Sequence, residues 1–266
     1  MPQDGEAPIE RAATPRAWQH VLEHVEAQLL SGELAPGDRL PGERALGAEL
    51  SVGRSSVREA IRVLEVLGLV RTQTGSGPSS GAVIISTPQG GMSTLMRLQV
   101  AARGFPVADI VETRLLLETH VAEALAGRHP RPGLDRATAL LDAMDSPGLA
   151  PAEFLALDAE FHLALAEAAG NQVVVATMAG LRSGIEGYAL AGLAAIDDWA
   201  ATSARLRGEH RGILTAVERA DAAEARTRVH AHITGYYAET FPTPSDPESP
   251  GAIAPAVAER PLEASR

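Results

Sequence analysis

Between Met92 and Phe241 apolar residues return every three or four positions. The pattern breaks only at Gly104-Phe105-Pro106, His129-Pro130-Arg131-Pro132, Ser146-Pro147-Gly148 and Gly170-Asn171, around Leu193–Asp197, and at Ala220-Asp221. A 3.6-residue period held over so long a stretch leaves little room for sheet. Six breaks divide it into seven helices, short connections between them favour antiparallel neighbours, and aromatic residues, at 3%, are too few for a β-rich core. The chain is therefore expected to be mainly α, with an antiparallel all-α bundle of about seven helices.

The first third reads differently. Thr14-Pro15 suggests a helix start, with Trp18, Val21, Leu22, Val25 and Leu29 on one face up to Ser31-Gly32. A short helix follows from Gly42 to Leu50, then another from Arg54 to Leu67. Leu69–Thr72 and Ala82–Ile85 read as paired strands around a Gly- and Ser-rich tip. Three helices and a hairpin in this order predict an N-terminal winged helix-turn-helix with a small β-hairpin wing. The expected organisation is a disordered leader at 1–13, a winged helix-turn-helix DNA-binding domain at 14–87, a linker at 88–91, an all-helical domain at 92–241, and a disordered tail at 242–266.

Other classes are set aside. Without cysteine there is no disulfide scaffold, thiol nucleophile or Cys-ligated metal. The acidic N-terminus has no apolar segment of a signal peptide, and no stretch approaches the roughly 18 apolar residues of a membrane span. A cytoplasmic protein is expected.

Net charge is -11, which argues against nucleic acid until it is divided. Pro36–Gly77 holds six Arg against five acids, whereas Met92–Phe241 holds 13 Arg against 19 acids. There is no lysine, so any DNA contact from a basic side chain uses a planar guanidinium, suited to guanine edges and phosphates. Arg54, Arg58 and Arg62 recur every four residues and share a face, opposite Val57, Ile61, Leu64 and Leu67. On an isolated helix this would be a solvated ridge; at the start of a recognition helix it suits base edges and phosphates.

Pro36-Gly37-Asp38-Arg39-Leu40-Pro41-Gly42-Glu43-Arg44, Val57-Arg58-Glu59-Ala60-Ile61-Arg62, Gly68-Leu69-Val70 and Gly75-Ser76-Gly77 together resemble the GntR family of bacterial transcription regulators. The resemblance implies DNA contacts from Arg44, Arg54, Ser55, Ser56 and Arg58, and from Gly75 and Gly77 at the wing. Gly42 and Gly53 stand where the family usually has Ser, and Pro78-Ser79-Ser80-Gly81 extends the wing.

A second constellation lies in the bundle. Leu155, Asp158, His162, Leu165 and Ala169 form one helical stripe, so Asp158 and His162 sit one turn apart on an apolar face. His210 falls on the stripe Trp199, Thr202, Leu206, Ile213, Val217, and His232 on the stripe Ala225, Val229, Tyr236; His230 points elsewhere. The four are either hydrogen-bonded core residues or ligands of a divalent transition metal, zinc first, with nickel or manganese as alternatives. Arg114 lies on the stripe of Ile110, Leu117, Val121 and Leu125 and needs an anionic partner: Glu118, one turn on, or the carboxylate of a bound ligand.

With Gly170-Asn171 and Glu209-His210-Arg211-Gly212-Ile213, these residues resemble the helical effector domain of the FadR subfamily of GntR regulators. That resemblance implies metal ligation by Asp158, His162, His210 and His232, an effector carboxylate at Arg114, and Asn171 lining the pocket; a helix cap is the alternative for Asn171. The expected function is that of a ligand-responsive repressor, binding a pseudo-palindromic operator in double-stranded DNA as a homodimer and sensing a small organic acid. The alternative is a helical metal-dependent hydrolase, with Glu160 or Glu209 as candidate bases.

Overall fold

The computed structural model describes residues 16–73, 81–85, 89–102, 104–130 and 133–241. Three helices come first: α1 (Ala17–Ser31), α2 (Glu43–Glu49) and α3 (Arg54–Val66). Strands β1 (Val70–Gln73) and β2 (Gly81–Ile84) then pair antiparallel, Val70 opposite Ile84 and Gln73 opposite Gly81. Val21 and Val25 of α1, Leu46 of α2, and Val57, Ala60 and Leu64 of α3 are buried together or against the hairpin. The helix-turn-helix with its β-hairpin wing is therefore present. The expected helix start at Thr14-Pro15, the wing glycines Gly75 and Gly77, the insertion Pro78–Ser80, the leader 1–13 and the tail 242–266 lie outside the described residues.

The wing has one rung that periodicity did not suggest. Arg39 bridges Val83, Leu40 N–H donates to Ala82 O at 2.9 Å, and Ile84 N–H donates to Asp38 O at 2.8 Å. Pro36-Gly37 and Pro41-Gly42 flank this segment, so it reads as turn, and one bridge is too short to show a two-residue period. Leu67, expected on the buried face of α3, is 42% exposed, because α3 ends at Val66.

Seven helices follow: α4 (Gln89–Ala101), α5 (Val107–Ala126), α6 (Asp135–Met144), α7 (Pro151–Ala169), α8 (Gln172–Gly192), α9 (Trp199–Glu218) and α10 (Ala222–Thr240), with a short 3-10 turn at Leu193–Ala195. The stretch 88–91, read as linker, is helical from Gln89. Glycine there is tolerable because the first-turn N–H groups have no partner within the helix in any case.

Local chemistry fixes where the site-bearing helices begin. Pro151 opens α7, whose Glu153 carboxylate accepts from Ala150 N–H at 2.9 Å, and Gly170 closes it at φ +78°, where a side chain would be strained. Asp198 and Asp221 cap α9 and α10 by accepting from Ala201 N–H and Glu224 N–H, both at 3.0 Å. The seven helices share one core, which includes Phe154, Phe161, Leu206 and Ile213. No helix among the described residues is long and apolar enough to cross a membrane.

Candidate functional site

Asp158 and His162 of α7, His210 of α9 and His232 of α10 converge inside this core. One ligand atom from each lies within 4.8 Å of every other, and all four residues are buried, Asp158 at 8% exposure and His210 at 0%. His162 Nε2 is 3.1 Å from His232 Nε2, His210 Nε2 is 2.9 Å from Asp158 Oδ1, and His232 Nε2 is 3.6 Å from the same oxygen. His230 is exposed and takes no part.

These residues fit a metal ion. Two first-row ligand nitrogens at ~2.0–2.1 Å from one tetrahedral ion stand about 3.3 Å apart, close to the His162–His232 separation. His210 Nε2, which faces the shared point, is buried without an aligned hydrogen bond, although Asp158 Oδ1 lies 2.9 Å away. Buried polar atoms are rarely left so. A shared ion satisfies a nitrogen that a poorly aligned neighbour cannot.

The electrostatics are compatible with a bound cation. Burial raises the carboxyl pKa of Asp158, but the His210 ring against it and the nearby rings of His162 and His232 outweigh burial and hold it well below the usual range. Burial pulls His210 down to about 4, with His232 adding to the effect, so its ring is neutral and free to ligate at neutral pH.

Arg114 of α5 is buried beside the cluster. Its Nε donates to Glu118 Oε1 at 2.7 Å, Nη2 donates to Glu118 Oε2 at 3.4 Å, and Nη1 donates to the Tyr188 hydroxyl on α8. Burial opposes both charges, yet their attraction wins: Arg114 is held above its ordinary value and Glu118 is pulled down to about 2. Glu118 therefore answers the need for an anion that the sequence left open between it and a ligand. The cavity bounded by Arg114, Asp158, Ile185, Ala189, His232 and Tyr236 has a volume of about 10 Å³, room for about one water.

Three neighbours were missed or misjudged. Glu118 Oε2 also lies 2.7 Å from His162 Nδ1. Glu209, considered as a base beside His210, instead reaches across to α10, where its Oε2 is 2.9 Å from His232 Nδ1. Tyr188 carried no signal beyond its place on an apolar face. Asn171 is not brought to this cavity. It is exposed at the start of α8, its side chain accepting from Val173 N–H at 3.1 Å and Val174 N–H at 3.3 Å, while Gly170 forms the preceding helix end. Its polar atoms are thus spent on an N-cap.

In the winged head, Arg44, Arg54, Ser55 and Arg58 are exposed and Ser56 is half-buried; Arg62 is exposed on the same ridge. Arg58 Nε and Nη2 donate to Glu43 Oε1 and Oε2 at 3.0 and 2.7 Å, a two-point clasp between α3 and α2.

Residues 18–78 match the model of the bacterial regulatory proteins of the gntR family, and residues 109–235 match the FCD domain. The chain is 30% identical over 220 residues to the HTH-type transcriptional regulator LutR of Bacillus subtilis (strain 168), covering 79% of this chain and 97% of LutR. It is 28% identical over 233 residues to the HTH-type transcriptional repressor NanR of Cronobacter sakazakii, covering 85% and 86%. Among solved structures, Streptococcus agalactiae GntR superposes with a TM-score of 0.53 at 24% identity over 82% of this chain and 97% of that one, a likeness of fold.

Proposed function

The chain belongs to the GntR family of bacterial transcription regulators with an FCD domain, and from this we propose that it is a repressor whose operator binding responds to a small organic acid. The observation that carries the sensing part is the buried Asp158, His162, His210, His232 cluster, two of whose members, Asp158 and His232, line a cavity with Arg114.

Residues 14–87 form the DNA-binding part in this reading, and 92–241 the sensing and dimerising part. Two heads of a homodimer address the two halves of a pseudo-palindromic operator. In each, Arg44, Arg54, Ser55, Ser56 and Arg58 meet the DNA, with Gly75 and Gly77 at the wing. Repression is favoured because NanR, among the relatives, is named a repressor. The protein then works in the cytoplasm, where the operator is.

Asp158, His162, His210 and His232 would hold a divalent transition metal, zinc by first choice, whose Lewis acidity supplies a position for an effector oxygen. Arg114, one edge of whose guanidinium is filled by Glu118, would offer the effector carboxylate the donor that Tyr188 now occupies. An effector is much larger than the present cavity, so its entry needs Tyr188, Ile185 and Ala189 of α8 to draw back from α5 and α10. Binding only to the opened arrangement shifts the population toward it, and by linkage weakens the arrangement that holds DNA.

An enzyme is set aside by the family. The candidate bases are also committed elsewhere: Glu209 to His232, and Glu160 to Arg182 at 3.1 Å and Arg136 at 3.6 Å.

The test is fluorescence anisotropy on an operator selected from random DNA. A panel of hydroxy-, keto- and sugar acids is added, before and after chelation. At least one acid should release the DNA from the metal-loaded protein and fail on the chelated one. Release that is indifferent to chelation and to Arg114→Lys would overturn the reading.

A further inference from the structure

Two carboxylates behind the metal-facing histidines repeat one local design. On α5, Arg114 Nε donates to Glu118 Oε1 at 2.7 Å; on α9, Arg205 Nη1 donates to Glu209 Oε1 at 2.6 Å. Both are Arg-to-Glu pairs four residues apart. In each pair the second carboxylate oxygen faces a histidine on another helix, Glu118 Oε2 at 2.7 Å from His162 Nδ1 and Glu209 Oε2 at 2.9 Å from His232 Nδ1. The Glu209 contact is an aligned hydrogen bond; the Glu118 contact has the length of one, with the His162 ring turned off the line. His210 has no such carboxylate, and its Nδ1 is buried without a partner.

We propose that Glu118 and Glu209 are positioning residues for the metal ligands, each holding its histidine as the Nδ1–H tautomer with Nε2 turned to the shared point, while Arg114 and Arg205 engage the two carboxylates and keep them out of coordination. This rests on the reading of the cluster as a metal site.

The argument runs through hydrogen-bond roles. An ionised carboxylate can only accept, so the ring nitrogen facing it carries the proton. A neutral imidazole then has its lone pair on the other nitrogen, Nε2. The Nε2 atoms of His162 and His232 face each other at 3.1 Å. Two lone pairs at that distance repel unless a proton or a cation lies between them. Carboxylates behind ligating histidines orient the ring and raise its basicity in just this way.

The arginines answer a second problem. Glu118 and Glu209 each stand directly behind a histidine of the cluster, and three carboxylates at a divalent ion would outweigh its charge. With one oxygen of each glutamate bound by a guanidinium, Asp158 is the single carboxylate at the ion, and the loaded site keeps a net positive charge for an organic anion.

Glu209 is the safer position to alter, because Arg205 keeps Glu239 as a second partner. Zinc affinity is measured by competition with a chromophoric chelator, and histidine tautomers by 15N NMR on metal-free protein. Wild type should show Nδ1–H at His162 and His232. Glu209→Ala should lose that state at His232 alone and bind zinc about tenfold to a hundredfold more weakly. Glu209→Gln, whose amide oxygen still accepts, should recover most of the loss. On the buried arm, Arg114→Met with Glu118→Leu should act the same way on His162. Unchanged tautomers and zinc affinity in both Glu209→Ala and the double variant would overturn the proposal while leaving the metal site standing. A wild-type protein that binds neither zinc nor cobalt would remove the metal site itself, and the proposal with it.

Discussion

Glu43 clasps Arg58 along one edge of the guanidinium, through Nε and Nη2, and leaves the edge formed by Nη1 and Nη2 open. That edge still offers two N–H donors, which in the proposed reading would pair with guanine O6 and N7. The carboxylate thus holds Arg58 without consuming them.

Arg58→Ala should weaken binding to a selected operator by about tenfold to a hundredfold, in keeping with ~1–3 kcal/mol for a bidentate base contact. Metal content should not change. Glu43→Gln should weaken it only a few-fold, because an exposed ion pair contributes roughly 0–1 kcal/mol, but should narrow the gap between specific and non-specific DNA. Anisotropy on both DNAs at two salt concentrations reads each effect. Equal loss of DNA binding and metal in Arg58→Ala would contradict the separation of the two sites.

Zinc should raise the melting temperature and a chelator should reverse the rise. At a free zinc concentration about a hundred times Kd, linkage gives about 2.7 kcal/mol. Asp158→Asn keeps the shape of the side chain and removes the one ligand charge. It should melt near the metal-free wild type and show no zinc response. A zinc response of wild-type size in this variant would mean that the ion sits elsewhere.

Arg114→Met leaves Glu118 as an unpaired buried charge and should cost about 3–5 kcal/mol. Adding Glu118→Leu removes that charge and should restore much of the stability. It should not restore effector-driven DNA release. Thermal melts and release assays on the same three proteins separate the two roles; release by the double variant would show that the carboxylate is held by another group.

Along α8, glycines differ sharply in what surrounds them. A Cβ at Gly180 would stand 2.6 Å from Met96 Cβ, and one at Gly184 would stand 2.7 Å from Val100 Cγ1, both on α4. At Gly187 nothing lies within 4 Å. Helix propensity alone favours Ala over Gly by about 0.8–1.0 kcal/mol. Gly187→Ala should therefore stabilise by nearly that amount. Gly180→Ala should destabilise, since overpacking costs about 1–3 kcal/mol, and should speed hydrogen exchange in α4. A stabilising Gly180→Ala would mean that α4 does not sit against α8 this closely.

The four clustered residues were legible because a helix turns spacing into direction. Asp158 and His162 four apart on an apolar stripe, with His210 and His232 on stripes of their own, leave few places to point but inward. The helix count was legible for the same reason, each break carrying Gly, Pro, Asn or Asp. The supporting carboxylates were not. Glu118 and Glu209 act across helices, and no spacing along one helix says which neighbour a long side chain reaches. At Arg114 the spacing offers two anions, Glu118 one turn on or a ligand carboxylate, and an i, i+4 glutamate can reach the guanidinium within one helix, as Glu118 does. For Asn171 the sequence leaves pocket and helix cap open, because a residue at a helix junction has two uses; its amide oxygen is taken by the backbone of α8. The Asp38–Leu40 rung was hidden by the Pro-Gly pairs that bracket it.

Tyr188 and Gly184 stand one turn apart on α8, the first bonded to Arg114 and the second seated against Val100 of α4. Four residues of helix span only about 6 Å. In the proposed reading, a ligand that draws Tyr188 away from Arg114 would pull directly on the seat of the helix that follows the winged head in sequence. Such a signal would need no melting and no relay of side chains: α8 would be a short rigid crank, its throw set by how far one phenol moves.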